Sequence, residues 1–279
     1  MKNVLYITFV LLSILGCDKI VTPDFVADRK LVLSTFLSPQ DTVHRFLLTY
    51  SSPVSAGIQQ EVYVTNAQIE LTDGTNAEWA VYNFTNNLYE IDSALFPIHA
   101  GVAYTVNVIH PEGILKGSTT IPLENNSLIV DTTKIGEEPL VYTDYQIKMR
   151  WETRPDNAAG YRIFAEDELK YTINGNYFTS YNLIVTSQNM NGVKYTLYDA
   201  GLPQYEHQVN YRYQISDVYE KTFLVSLLAT DINYLSYHKS LLNIITDDPF
   251  AEPKHTFSNV EGGLGIVASY NRYLLKIPY

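Results

Sequence analysis

The chain has 279 residues, 46% of them apolar, with 19 basic and 30 acidic side chains and a formal charge of −11 at neutral pH. An acidic balance of this size, with no Lys/Arg stripe, excludes nucleic acid as a partner class. The single cysteine, Cys17, excludes an internal disulfide, so stability must come from burial, for which this length supplies one large or two medium cores.

The chain opens with Lys2, an almost wholly apolar run from Val4 to Leu15, the small Gly16, and then Cys17-Asp18-Lys19. The apolar run is too short to span a bilayer, which takes about 20 residues. Its layout is that of a bacterial lipoprotein signal, in which the cysteine is lipidated and becomes the first mature residue. An ordinary secretory leader is the alternative, but its cleavage site prefers an A-x-A pattern that Ile14-Leu15-Gly16 lacks. Residues 1–16 are therefore expected to be a signal peptide, with Cys17 the lipidation site. Losing Lys2 leaves 18 basic against 30 acidic residues, a mature charge of −12. Residues 17–28, with Pro23, read as a lipidated tether.

The fold is expected to begin at residue 29. Leu31 to Leu37 and Val43 to Tyr50 are β-rich runs separated by Ser38-Pro39-Gln40-Asp41, the pattern of an antiparallel pair. Further strand-like runs are Ala67–Leu71, closed by Asp73-Gly74, then Trp79–Phe84, Leu88–Ile91, Ala103–Ile109 and Leu115–Ile121. Seven short strands spaced by turn signals predict a β-sandwich over 29–122. Residues 123–139, with Asn125-Asn126-Ser127 and Gly136-Glu137-Glu138-Pro139, read as a linker.

The second half, 140–279, starts with Tyr145–Trp151. There Ile147, Met149 and Trp151 alternate with Gln146, Lys148 and Arg150, which places the apolar set on one face. Tyr161–Ala165, Val209–Ile215 and Phe223–Ala229 follow as strands, and Glu166-Asp167-Glu168 reads as an exposed acidic turn. These predict a second sandwich, somewhat like a fibronectin type III module. One helix stands out near 232–246, capped by Asp231, with Tyr234, Tyr237, Leu241 and Ile245 along a stripe and Pro249 beyond it. The fold class is thus mainly β, two sandwiches with one α-helix in the second. Of the 23 tyrosines, 17 fall between Tyr142 and Tyr279. They suit half-exposed strand surfaces, and equally a carbohydrate-stacking or protein-contact face.

Motifs for chemistry are lacking. His44, His99, His110, His207, His238 and His255 have no metal-site spacing, and neither a G-x-S-x-G elbow nor a phosphate loop occurs. Gly262-Gly263-Leu264-Gly265 is followed by a β-like run, so a turn or bulge is expected there instead of a phosphate cradle. Asp247, Asp248 and Glu252 lack a calcium-loop spacing. No catalytic residue, metal or cofactor is assigned.

Several segments together resemble the domain-of-unknown-function family DUF4249, outer-membrane lipoproteins of the Bacteroidota. They are Leu31–Val43, Asn66–Gly74, Asp248-Pro-Phe-Ala-Glu-Pro253 and Ser258-Asn-Val-Glu-Gly-Gly-Leu-Gly-Ile266. The resemblance implies an outer-membrane, lipid-anchored protein with no established biochemical role. Genes of this family commonly lie beside those of TonB-dependent receptors, which implies a non-enzymatic binding or accessory subunit for nutrient uptake. A surface structural or adhesion protein is the alternative, and a hydrolase with an unrecognised site is a third reading.

Overall fold

A computed structural model describes residues 29–52, 61–138, 142–173, 176–184, 196–214, 218–242 and 255–278. Cys17, the leader and the tether lie outside the described residues, as do Asp247, Asp248, Glu252 and the last turn expected of the helix. Lys30–Ser51 and Glu61–Tyr279 form one compact unit.

The chain is mainly β. In the first half β1 (Leu31–Leu37), β2 (Val43–Tyr50), β5 (Val81–Asn83) and β6 (Leu88–Asp92) share a sheet. A second sheet, ordered β4-β3-β7-β8, is built from β3 (Gln68–Thr72), β4 (Ala77–Trp79), β7 (Ala103–His110) and β8 (Gly113–Thr120). The expected β1–β2 pair is present, antiparallel, with Leu31 opposite Tyr50. The run Trp79–Phe84 divides at Ala80 into β4 and β5, which belong to different sheets, so this half has one strand more than its seven apolar runs predict. Alternation carries the packing: Leu31, Leu33 and Leu37 of β1 meet Ile69 and Leu71 of β3 in one core.

In the second half a three-stranded sheet, β14-β10-β9, is made by β9 (Ile129–Glu138), β10 (Tyr142–Glu152) and β14 (Gln204–Gln214). The segment read as a linker therefore contains a strand. β9 is mostly exposed; it is held by backbone pairing to β10 and by Val130, which packs on the core, so it shows no sustained apolar alternation to read. Ile147, Met149 and Trp151 point into the core as their spacing predicts. They face β11 (Gly160–Ile173) and β15 (Val218–Thr230), which are flanked by β12 (Asn176–Ile184) and β13 (Thr196–Asp199).

The last strand, β16 (Leu264–Pro278), joins the halves. Val32–Leu37 of β1 pair in parallel with Leu264–Ser269, and Thr222–Thr230 of β15 pair antiparallel with Pro278–Tyr270. One sheet of nine strands consequently runs through both halves. Period-2 alternation explains how one strand serves two cores. Val267 enters the first core, and Tyr273, Leu275 and Ile277 on the same face enter the second. Ile266 and Ala268, on the other face, receive Tyr234 of α1 (Ile232–Leu242). Among the described residues no helix is long and apolar enough to cross a membrane.

Candidate functional site

Between the two apolar cores β16 carries Ser269 and Asn271, both buried, and of the polar layer around them Thr119, Thr120 and Asp231 line a cleft. Asn271 Nδ2 donates to the Pro122 carbonyl at 2.9 Å, and its Oδ1 accepts from Gln40 Nε2 at 2.7 Å. Ser269 Oγ donates to the Thr120 carbonyl at 2.9 Å and lies 2.7 Å from Thr119 Oγ1. Burying amides and hydroxyls costs free energy unless every one is paired, and here both are.

The carboxylate of this layer is Asp231. Its Oδ1 accepts the Tyr234 N–H at 2.8 Å, capping α1 as the sequence predicts, and the Ser269 N–H at 3.2 Å. Its Oδ2 accepts from Thr119 Oγ1 at 2.6 Å. Burial raises its pKa above the ordinary carboxylate value, opposed by the hydrogen bonds from Thr119, Tyr234 and Ser269. The oxygens of Asp231 are therefore occupied by donors of the fold, and the group ties helix, β8 and β16 together.

Above this layer opens a cleft of about 650 Å³, within the size range of small-ligand sites. One wall is the chain leaving β8, from Ser118 to Leu123; the other is the β10–β11 turn, Pro155 to Ala159, and the first residues of α1. Leu123 and Ile232 stand exposed at its mouth. Asn233 is held in place by its Nδ2, which donates to the Ser118 carbonyl at 3.0 Å. The cleft thus offers walls of mixed character, with Ile121, Leu123, Ala158 and Ile232 beside Ser118, Thr120, Asp156 and Asn157.

Of the residues singled out in the sequence, Asp231 is at this site and the histidines are not. His44 is a buried residue of β2 that faces the chain after β6, its Nε2 2.9 Å from the Phe96 carbonyl. Among the described residues no group of three or more His, Cys, Asp or Glu could hold a metal ion. Glu166-Asp167-Glu168 is not a turn: it lies within β11, and Asp167 is fully buried, accepting a hydrogen bond from the Tyr211 hydroxyl of the facing sheet. Three consecutive acids read as solvated, but strand alternation turns only the middle one inward. The tyrosines whose packing is described are mostly sandwich packing: Tyr161 is buried, and Tyr145, Tyr198, Tyr205, Tyr211 and Tyr273 pack against the same core. Trp151 stacks on Tyr205 with ring centroids 5.7 Å apart.

The glycine run is structural. Gly262 and Gly265 have positive φ, and a Cβ on Gly265 would lie 1.8 Å from the Leu33 carbonyl oxygen. No phosphate cradle is formed there. Thr119, Ser269 and Asn271, which hold the polar layer together, carry no sequence signal, because their partners are distant in the chain.

Residues 18–273 match a family described as a domain of unknown function (DUF4249). No curated protein matches the chain.

Proposed function

The chain belongs to the DUF4249 family, and on that membership, the Cys17 leader and the cleft we propose that it is a lipid-anchored binding subunit of the outer membrane, working beside a TonB-dependent nutrient-uptake receptor. The observation that carries a binding over a catalytic reading is the state of Asp231. A general acid or base needs a lone pair or proton directed at a substrate, whereas this carboxylate is held by Thr119, Tyr234 and Ser269. What the cleft offers a ligand is shape and a lining that mixes apolar groups with Ser118, Thr120, Asp156 and Asn157, a composition that suits recognition.

Attachment is supported by the layout of the leader and by the start of the family match at Asp18, directly behind Cys17. Two or more acyl chains on that sulfur would anchor the protein stably, where one would hold it only marginally. Cys17→Ala is expected to move the protein from washed membranes to the soluble fraction; retention of the variant in membranes would refute lipid attachment. Co-purification from detergent-solubilised outer membranes tests the receptor association. Recovery of the lipoprotein alone, in detergent that keeps other receptor complexes together, would refute it.

A further inference from the structure

Several large apolar side chains left in solvent gather at one end of the first sandwich. This is the end where Lys30 leads into β1, because Leu31 pairs with Tyr50 and Val32 with Leu264. Val62 is there, its carbonyl accepting the Tyr50 N–H, and so is the β7–β8 turn, where Glu112 accepts from the Tyr50 hydroxyl. Ile109 and Ile114 face each other across that hairpin. Phe84 sits in the β5–β6 turn at the same end of the sheet, beyond Leu88, since β6 runs antiparallel to β2 with Val43 opposite Asp92. Phe84 is 79% exposed and Ile114 68%, while Val62, Ile109 and Leu264 range from 38% to 46%. Single exposed apolar residues are ordinary; five at or beside turns on one end form a surface.

We infer that this end rests on a lipid bilayer, with the turn tips entering the boundary between headgroups and acyl chains. The occupant is fixed by where the chain goes. Asp18 to Arg29 connect Cys17 to Lys30 at this end, and twelve residues reach at most about 40 Å when fully extended. The inference therefore rests on lipidation of Cys17, which would hold these tips within reach of the membrane. Glu61, Glu112 and Glu261 lie at this end with Lys30 and Lys116, a balance that suits a zwitterionic surface and not an anionic one. The cleft opens at the opposite end of the same sandwich, where β8 finishes at Thr120, so this contact would keep it clear of the lipid.

The test uses the full lipidated chain reconstituted in phosphatidylcholine–phosphatidylethanolamine vesicles, with and without brominated acyl chains. Tryptophan is introduced by Phe84→Trp, by Ile114→Trp and, as a control, by Leu95→Trp. Leu95 is 69% exposed and lies at the opposite end of the sandwich, beside the chain entering β2. After subtraction of the wild-type emission of Trp79 and Trp151, bromination should quench the added emission at 84 and at 114 and leave that at 95 unchanged. Equal emission in both lipids at 84 and 114, from protein that stays vesicle-bound, would overturn the inference. Quenching at all three positions would overturn it too, since no end would then face the bilayer. Protein that leaves the vesicles with an unmodified Cys17 by intact mass would instead overturn the lipid-anchor reading.

Discussion

Asp231 and Gly265 show how much of this fold hangs on single residues. Burial lifts the Asp231 carboxyl above its ordinary range, so the folded chain binds that proton more tightly than the unfolded chain does. Its stabilising effect is complete below the unfolded pKa and is lost as pH rises through the folded value. Asp231→Asn keeps a capping oxygen and removes the titration. The urea midpoint of the variant, relative to wild type, should therefore rise as pH increases from about 4; a constant difference would show that the carboxyl titrates identically in both states. His44 acts in the opposite direction, since burial lowers its pKa and acidification then works against the fold. Gly265 is a steric matter. With φ at +124° and the Leu33 backbone in the way of a Cβ, Gly265→Ala is expected to cost more than about 3 kcal/mol. Gly74, at φ +88° with open space around it, supplies the comparison, and Gly74→Ala should cost about 1 kcal/mol. Equal costs in urea titrations would refute the steric account.

Among the elements, α1 and β9 mark the two limits of what a pattern reveals. The helix was legible from its cap and its stripe, and Tyr234 of that stripe does enter a core, against Phe36, Ile266 and Ala268. The ring of Tyr234 is 5.6 Å from that of Phe36 by centroid, edge-on. Tyr234→Ala should accordingly cost about 3 kcal/mol, and Ile232→Ala, at an exposed position on the same helix, less than about 0.5 kcal/mol. The reverse order in thermal or urea unfolding would mean that the stripe is a contact face and not core. β9 left little trace, because this edge strand sends only Val130 toward the core and is otherwise mostly exposed, which calls for no run of apolar alternation. Asp167 failed to be legible for a related reason: within an acidic triplet nothing local distinguishes the inward residue, and its partner Tyr211 comes from another sheet.

For the whole molecule the decisive feature is β16, which pairs with β1 along its first part and β15 along its second. Neither core can separate from the other without breaking strand pairing in the nine-stranded sheet, so the two should unfold together. A single urea transition is expected, with Leu33→Ala in the first core and Ile163→Ala in the second each shifting it by about 2–5 kcal/mol. Two resolved transitions, each moved by only one substitution, would show that the shared strand does not couple the cores. The cleft depends on the same joint, since Thr119, Asp231 and Ser269 come from three elements and meet only when β16 is in place.

The amino-acid sequence by itself determined the strand-rich class, the inward faces of β1 and β10, the capped helix and the family, and it set the leader and Cys17 in the arrangement of a lipoprotein. These are local properties, written in periods of two or in short runs of side chains. Only the tertiary structure decided that one sheet runs through both halves, that Asp231 is committed to the fold, and that five exposed apolar side chains share the end where Lys30 leads into β1. Each of those depends on residues brought together from far apart in the chain, and no local period records such pairings.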